Sequence, residues 1–113
     1  MTKGKLVLVP FPFDDLSSSK VRPALCLTEP VGQFRHVVVA FVTSRRPADP
    51  EDSDLAIGPD HTGFSASGLK VASTVRLHRV MTLPASAILR ELGALPTALL
   101  AEVDRRLRAL FRL

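Results

Sequence analysis

The sequence predicts a mainly β protein with a C-terminal helix, a small and strongly bent antiparallel sheet that the helix closes. Three observations predict it. Short aliphatic runs are broken throughout by proline, glycine and serine, residues 37–42 are apolar at every position, and only the stretch after Pro96 repeats its apolar residues at helical spacing. A chain of 113 residues can bury one core with little to spare, and no shift in composition marks a linker, so one domain over residues 1–113 is expected.

Residues 6–9 and 25–27 read as strands, and Pro10, Pro12 and the serines at 17–19 mark a loop between them that is a candidate lid. Residues 37–42, Val-Val-Val-Ala-Phe-Val, are continuous rather than alternating in apolar character, which suits a central strand covered on both faces. Residues 45–54 form a polar loop, 55–57 a short strand, and 59–68 a turn-rich connection broken by Gly63 and Gly68. Residues 71–77 and 80–83 complete the strand set. Pro84 can open a short helix that reaches Leu89 and is stopped by Gly93. Pro96 can open a longer one in which Leu99, Leu100, Val103, Leu107, Leu110 and Phe111 share a face. Glu102 and Asp104 stand four residues before Arg106 and Arg108, a spacing that supports a helix.

The longest apolar run is far short of a membrane span, and the lysines at 3 and 5 are followed within a few residues by prolines rather than by a signal-peptide core, so a cytoplasmic protein is expected. The single Cys26 excludes an internal disulfide, and its place in Leu25-Cys26-Leu27 makes it a packing residue. His36, His61 and His78 lack paired-ligand spacing, so no metal site and no cofactor are expected. As a catalytic acid and base pair they are disfavoured by context: His78 stands among cations, His36 opens an apolar strand and His61 lies in a turn.

The net charge of +4 understates an asymmetry. Asp49, Glu51, Asp52, Asp54 and Asp60 share a segment without Lys or Arg, and the rest of the chain holds 15 basic residues against 6 acidic ones. Such a surplus steers a polyanion, and nucleic acid is the natural partner. Arg22 opens one apolar strand and Thr43 closes another. If those strands pair antiparallel, guanidinium and hydroxyl fall at the same end of one sheet. Arg22 offers a planar fork that matches two phosphate oxygens, Pro23 biases Arg22 to an extended backbone, and Thr43 brings a donor on a β-branched, rotamer-restricted side chain. Ser44 can add a second donor. Phe11 and Phe13 can stack on unpaired bases or pack in the core. An ion pair with Asp14, Asp15 or Glu29 is the structural alternative for Arg22, and strand termination is the alternative for Thr43 and Ser44.

Two stretches, Phe11-Pro12-Phe13-Asp14-Asp15-Leu16-Ser17-Ser18-Ser19-Lys20-Val21-Arg22-Pro23 and the apolar strand ending in Thr43-Ser44-Arg45-Arg46, together resemble the signature of the MazF/PemK toxins of bacterial type II toxin-antitoxin pairs. The resemblance covers nearly the whole chain. Gly4-Lys5-Leu6-Val7-Leu8-Val9 is similar to that family's first strand, Gly68-Leu69 through Ser73-Thr74-Val75-Arg76 to a later one, and Leu92-Gly93 with the terminal helix to its ending. The resemblance implies an SH3-like barrel, a homodimer with RNA across its interface, and metal-independent cleavage of single-stranded RNA by attack of the 2′-hydroxyl. It implies Arg22 and Thr43 as catalytic residues, and Ser17, Ser18, Ser19, Lys20, Ser44, Arg45 and Ser73 as substrate-binding ones. Ser73 can equally be a strand serine satisfied by backbone. Some members carry Glu-Gln in the loop before Arg-Pro. Ser17 and Ser18 stand there in this chain, and a neutral hydroxyl is no general base at neutral pH; Asp14 or Asp15 can substitute only if the loop folds over the groove, so the general base is left unassigned.

The implied partner besides RNA is a cognate antitoxin, whose acidic, partly disordered segment would fit the same basic groove. Two other functions fit the same fold. The related CcdB toxins bind DNA gyrase through a terminal-helix surface and cut nothing, and a catalytically silent RNA-binding module is the other alternative. A nuclease needs Arg22 and Thr43, whereas a gyrase binder leaves them idle.

Overall fold

Strands rich in valine and leucine assemble, among the described residues, into one six-stranded antiparallel sheet of order β4-β5-β3-β2-β1-β6, built from β1 (Lys5–Phe11), β2 (Lys20–Cys26), β3 (His36–Thr43), β4 (Asp54–Ile57), β5 (Ser73–Pro84) and β6 (Arg90–Ala94). The structure is a computed structural model and describes residues 1–11 and 20–113. Readings placed on Pro12, Phe13, Asp14, Asp15, Ser17, Ser18 and Ser19 lie outside the described residues. The sheet curls into a half-barrel, and α2 (Thr97–Phe111) lies against one of its faces. Among the described residues, no helix is long and apolar enough to cross a membrane.

The continuous apolar run 37–42 sits centrally, as expected, because β3 is flanked by β2 and β5 and sends alternate side chains to two separate cores. Ala40 and Val42 join Leu6, Leu25, Leu55, Val75 and Leu77 under the helix, where Leu99 and Val103 of α2 are buried. Burying each of those two stabilises the docked helix by about 1.5–3 kcal/mol. Val37, Val39 and Phe41 turn the other way and pack with Val7, Val9, Phe11, Ala24, Cys26 and Leu83. Phe11 is therefore a core residue, 5% exposed and edge-on to Phe41 with centroids 5.0 Å apart, not a base-stacking platform. Cys26 is buried with it, and burial pushes the thiol up to about 11, the state of an inert packing residue.

Four expectations need correction. The helix expected from Pro84 is a single 3-10 turn, Ala85–Ala87, and the chain then enters strand β6. Gly93 does not stop a helix. It pairs with Leu6 of β1, and it is small because the short helix α1 (Phe64–Ser67) crosses it: a Cβ there would lie 2.2 Å from the Ala66 carbonyl oxygen. That helix, inside the expected turn-rich connection, is the second correction. Gly68 ends it with φ +75, a left-handed conformation that only glycine adopts cheaply, while facing the Leu92 carbonyl. Third, the two strands expected at 71–77 and 80–83 are one strand, because Phe41 pairs with Arg76 while Ala40 pairs with Val80, leaving residues 77–79 of β5 as a bulge. Fourth, Asp104 pairs with Lys3 at 3.1 Å rather than with Arg108, and the apolar face of α2 runs past the sheet, so that Leu110 and Phe111 are exposed. Glu102 does bond Arg106 as spaced, at 2.7 Å, and adds Arg105.

Candidate nucleic-acid interface

β2 and β3 pair antiparallel with Ala24 opposite Phe41 and Cys26 opposite Val39. Two residues beyond the Ala24–Phe41 pair, the same register sets Arg22 opposite Thr43. Because side chains alternate, both stand on the face of Ala24 and Phe41. The chain permits this end to open because Pro23, which has no N–H to donate, lies just past the point where β2–β3 pairing stops. The core on this face thus gives way, along the same strands, to a polar end.

That end is a groove of about 630 Å³ lined by Lys20, Arg22, Phe41, Thr43, Ser44, Arg45, Arg46, Arg76 and Arg79. It brings together six cations, and no carboxylate among the described residues lines it. Arg79, carried into position by the bulge, lies over the Phe41 ring with its guanidinium carbon 4.7 Å from the centroid. Arg22 forms no ion pair among the described residues. Glu29, one of its possible partners, is instead held by the backbone N–H groups of Thr2 and Lys3 at 2.8 Å each, and those bonds hold its carboxyl below the usual range.

Thr43 closes β3 with a local side-chain turn. Its hydroxyl oxygen accepts from the Arg45 N–H at 3.1 Å and lies 3.5 Å from the Arg45 carbonyl, at the outer limit of a hydrogen bond. The bond to Arg45 fixes the oxygen, and the proton is only weakly engaged.

Of the residues singled out in the sequence, Lys20, Arg22, Thr43, Ser44 and Arg45 meet in this groove, while Ser17, Ser18 and Ser19 fall outside the described residues. Ser73 lines an adjoining cavity of about 300 Å³, which shares Arg22 and Ser44 with the groove and adds Lys70 and Arg90. Its hydroxyl donates to the Val71 carbonyl at 2.9 Å, so backbone satisfies it. Arg46, Arg76 and Arg79 complete the groove and were missed as site residues. The clustered cations Arg76, His78 and Arg79 were the available signal, but only strand pairing shows which of them face Thr43.

Asp54 stands beside Arg76. Burial pushes its carboxyl up, but hydrogen bonds from Arg76 and from the Glu51 N–H, with the charges of Arg76 and His78, outweigh burial and hold it below the ordinary carboxylate range. The histidines are dispersed: the Nδ1 of His78 is 3.1 Å from the Ser53 hydroxyl, and that of His61 accepts from the Gly63 N–H. Among the described residues no three His, Cys, Asp or Glu side chains gather as metal ligands would.

A protein family described as PemK-like, MazF-like toxin of type II toxin-antitoxin system matches the sequence over residues 2–111. No curated protein matches the chain. Among solved structures, the Mycobacterium tuberculosis toxin MazF-mt6 superposes with a TM-score of 0.72 at 20% identity, over 96% of this chain and 97% of that one. A mycobacterial endoribonuclease in complex with its cognate antitoxin gives 0.71 at 17% identity, over 100% and 96%. A MazE-MazF structure from Deinococcus radiodurans gives 0.65 at 24%, over 98% and 94%. At these identities the superpositions establish the fold.

Proposed function

We propose, for a chain that belongs to the PemK-like, MazF-like toxins of type II toxin-antitoxin systems, that the groove at the Arg22 and Thr43 end of the sheet cuts single-stranded RNA without a metal. One observation carries the reading: an arginine without an ion pair among the described residues and a threonine hydroxyl share one face at one strand end, inside a groove lined by cations.

RNA brings its own nucleophile. The 2′-oxygen attacks the adjacent phosphorus as its proton departs, the bond from phosphorus to the 5′-oxygen breaks, and that oxygen takes up a proton, leaving a 2′,3′-cyclic phosphate and a 5′-hydroxyl. Holding the two oxygens in line removes on the order of 7 kcal/mol or more of the barrier in well-oriented cases. The Arg22 fork binds the non-bridging oxygens as their charge grows, and Thr43 turns its hydroxyl from the distant Arg45 carbonyl to the same phosphate. Each such donor contributes roughly 3 kcal/mol. Lys20, Arg45 and Arg46 hold the flanking strand, so binding weakens with salt.

By the same reading the protein is a cytoplasmic homodimer silenced by an acidic antitoxin segment that competes for the cationic groove. The mycobacterial endoribonuclease and the Deinococcus MazF are each known in complex with an antitoxin. The test incubates the native protein and Arg22→Ala with a long RNA in EDTA and reads product ends by mass spectrometry. Cyclic-phosphate ends from the native protein alone are expected. Intact RNA across several sequences, with toxicity in cells retained by both proteins, would overturn the ribonuclease reading in favour of a gyrase-binding toxin.

A further inference from the structure

Arg76 is gripped from one side only. Its Nε and Nη2 donate to the two carboxylate oxygens of Asp54 at 3.0 and 3.2 Å, the parallel fit of a guanidinium fork to a carboxylate. The Asp54 side chain is 4% exposed, and one of its oxygens also accepts from the Glu51 N–H at 2.9 Å. The Asp54 backbone is pinned as well, since its carbonyl accepts from Arg106 of α2 at 3.0 Å. A carboxylate held on so many sides cannot swing with its partner, so the guanidinium is fixed in one orientation.

An ion pair of this kind serves stability alone when the arginine is consumed by it. Arg76 is not consumed. Its side chain is 22% exposed and lines the groove, and the edge formed by Nη1 and the second Nη2 proton has no partner among the described residues. That edge is a second fork, suited to a second bidentate anion. Its place is set by strand register. Arg76 pairs with Phe41 and Thr74 with Thr43, so Arg76 is the diagonal neighbour of Thr43 on the same face, roughly 7–8 Å away. An anion on Arg76 therefore sits beside the one on Thr43 and Arg22, not on top of it.

We propose that Arg76, positioned by Asp54, is a second phosphate subsite that grips a phosphodiester adjacent to the one cut at Arg22 and Thr43. Asp54 offsets the net charge of the pair, so the subsite acts through oriented donors and sets the register of the RNA strand more than its overall affinity. The inference rests on the ribonuclease reading above and names where the neighbouring phosphate goes.

The experiment places a neutral methylphosphonate at each linkage flanking the scissile one in a short RNA and measures kcat/KM for the native protein and for Arg76→Gln. One flanking position should cost the native protein about tenfold or more, the worth of hydrogen bonds to a charged group. The same position should cost Arg76→Gln nothing further. Arg76→Lys, which keeps charge and loses the fork, should behave like the glutamine variant. Asp54→Asn should raise KM on the long substrate while leaving kcat on a dinucleotide, which lacks the flanking phosphate, unchanged. Equal losses in native protein and Arg76→Gln at every linkage would overturn the subsite, and this comparison stands even if Asp54→Asn does not fold. If native protein leaves the unmodified RNA uncut, the ribonuclease reading fails. The coupling is then read by fluorescence anisotropy on the 2′-deoxy oligonucleotide series, where its absence overturns the subsite separately.

Discussion

The two faces of the sheet are made by the same strands and end differently. Toward α2, Ala40 and Val42 of β3, Leu55 and Ile57 of β4 and Val75 and Leu77 of β5 form an apolar layer, and the helix covers it with Leu99 and Val103. On the opposite face the same strands pass from Val37, Val39 and Phe41 to Thr43, and across the pairing to Arg76 and Arg22. Around that helix the face uses its alternation for burial. The other uses its apolar half to make rigid what its polar half presents, so that a threonine hydroxyl and two guanidinium groups stand on strands that cannot bend away. This division of labour explains why a small sheet can hold a cationic groove open: the repulsion among its cations is opposed by two cores packed on either side of β3.

The comparison breaks most sharply at Arg22. Arg22→Lys keeps the charge and loses the fork, and RNA cleavage should fall about 10²-fold or more with the thermal midpoint unchanged, because that side chain belongs to the polar end of its face. Leu77→Ala on the helix face should do the reverse. Leu77 is fully buried there, so its truncation should cost about 2–5 kcal/mol in urea unfolding while kcat at a temperature where the protein remains folded stays near native. A large activity loss with little destabilisation from Leu77→Ala, or the converse from Arg22→Lys, would show that the faces are not functionally separate.

Gly93→Ala probes a third kind of contact, where α1 crosses β6 with no side chain between them. The new methyl would press on the backbone of Ala66 and Ser67, and a loss of about 1–3 kcal/mol is expected, read from the shift in the unfolding midpoint. This is also where the sequence was least legible. Glu91, Gly93 and Ala94 are poor strand formers, and β6 exists because it extends the edge of β1, a tertiary pairing that no local pattern announces. Arg22 and Thr43 were legible because each is a polar residue at the limit of an apolar run, and antiparallel pairing of those runs is enough to bring them together. Arg76 was not legible as a site residue. Its role depends on a carboxylate 22 residues earlier and on the register of β4, β3 and β5 around a bulge, neither of which leaves a mark in the nearby sequence.

The smallest expected effect joins the two faces, because Asp54 reaches toward both: its side chain holds Arg76 at the groove, and its carbonyl holds Arg106 of the covering helix. Its folded-state pKa lies below the ordinary carboxylate value. The stability linked to that shift is therefore fully present above the ordinary value and is lost as pH falls through it toward the folded one. Urea midpoints of native protein and Asp54→Asn should differ by a constant amount from pH 7 down to about pH 5, then converge as the native carboxylate takes up its proton. Glu29 and Glu102 are depressed as well and lower both midpoints together in acid, so only the difference between the two proteins reports Asp54. A difference that stays constant into strong acid would mean that the asparagine variant loses packing rather than charge. In that case the link between groove and helix would be steric, and Arg76 would owe its orientation to the bulged strand itself.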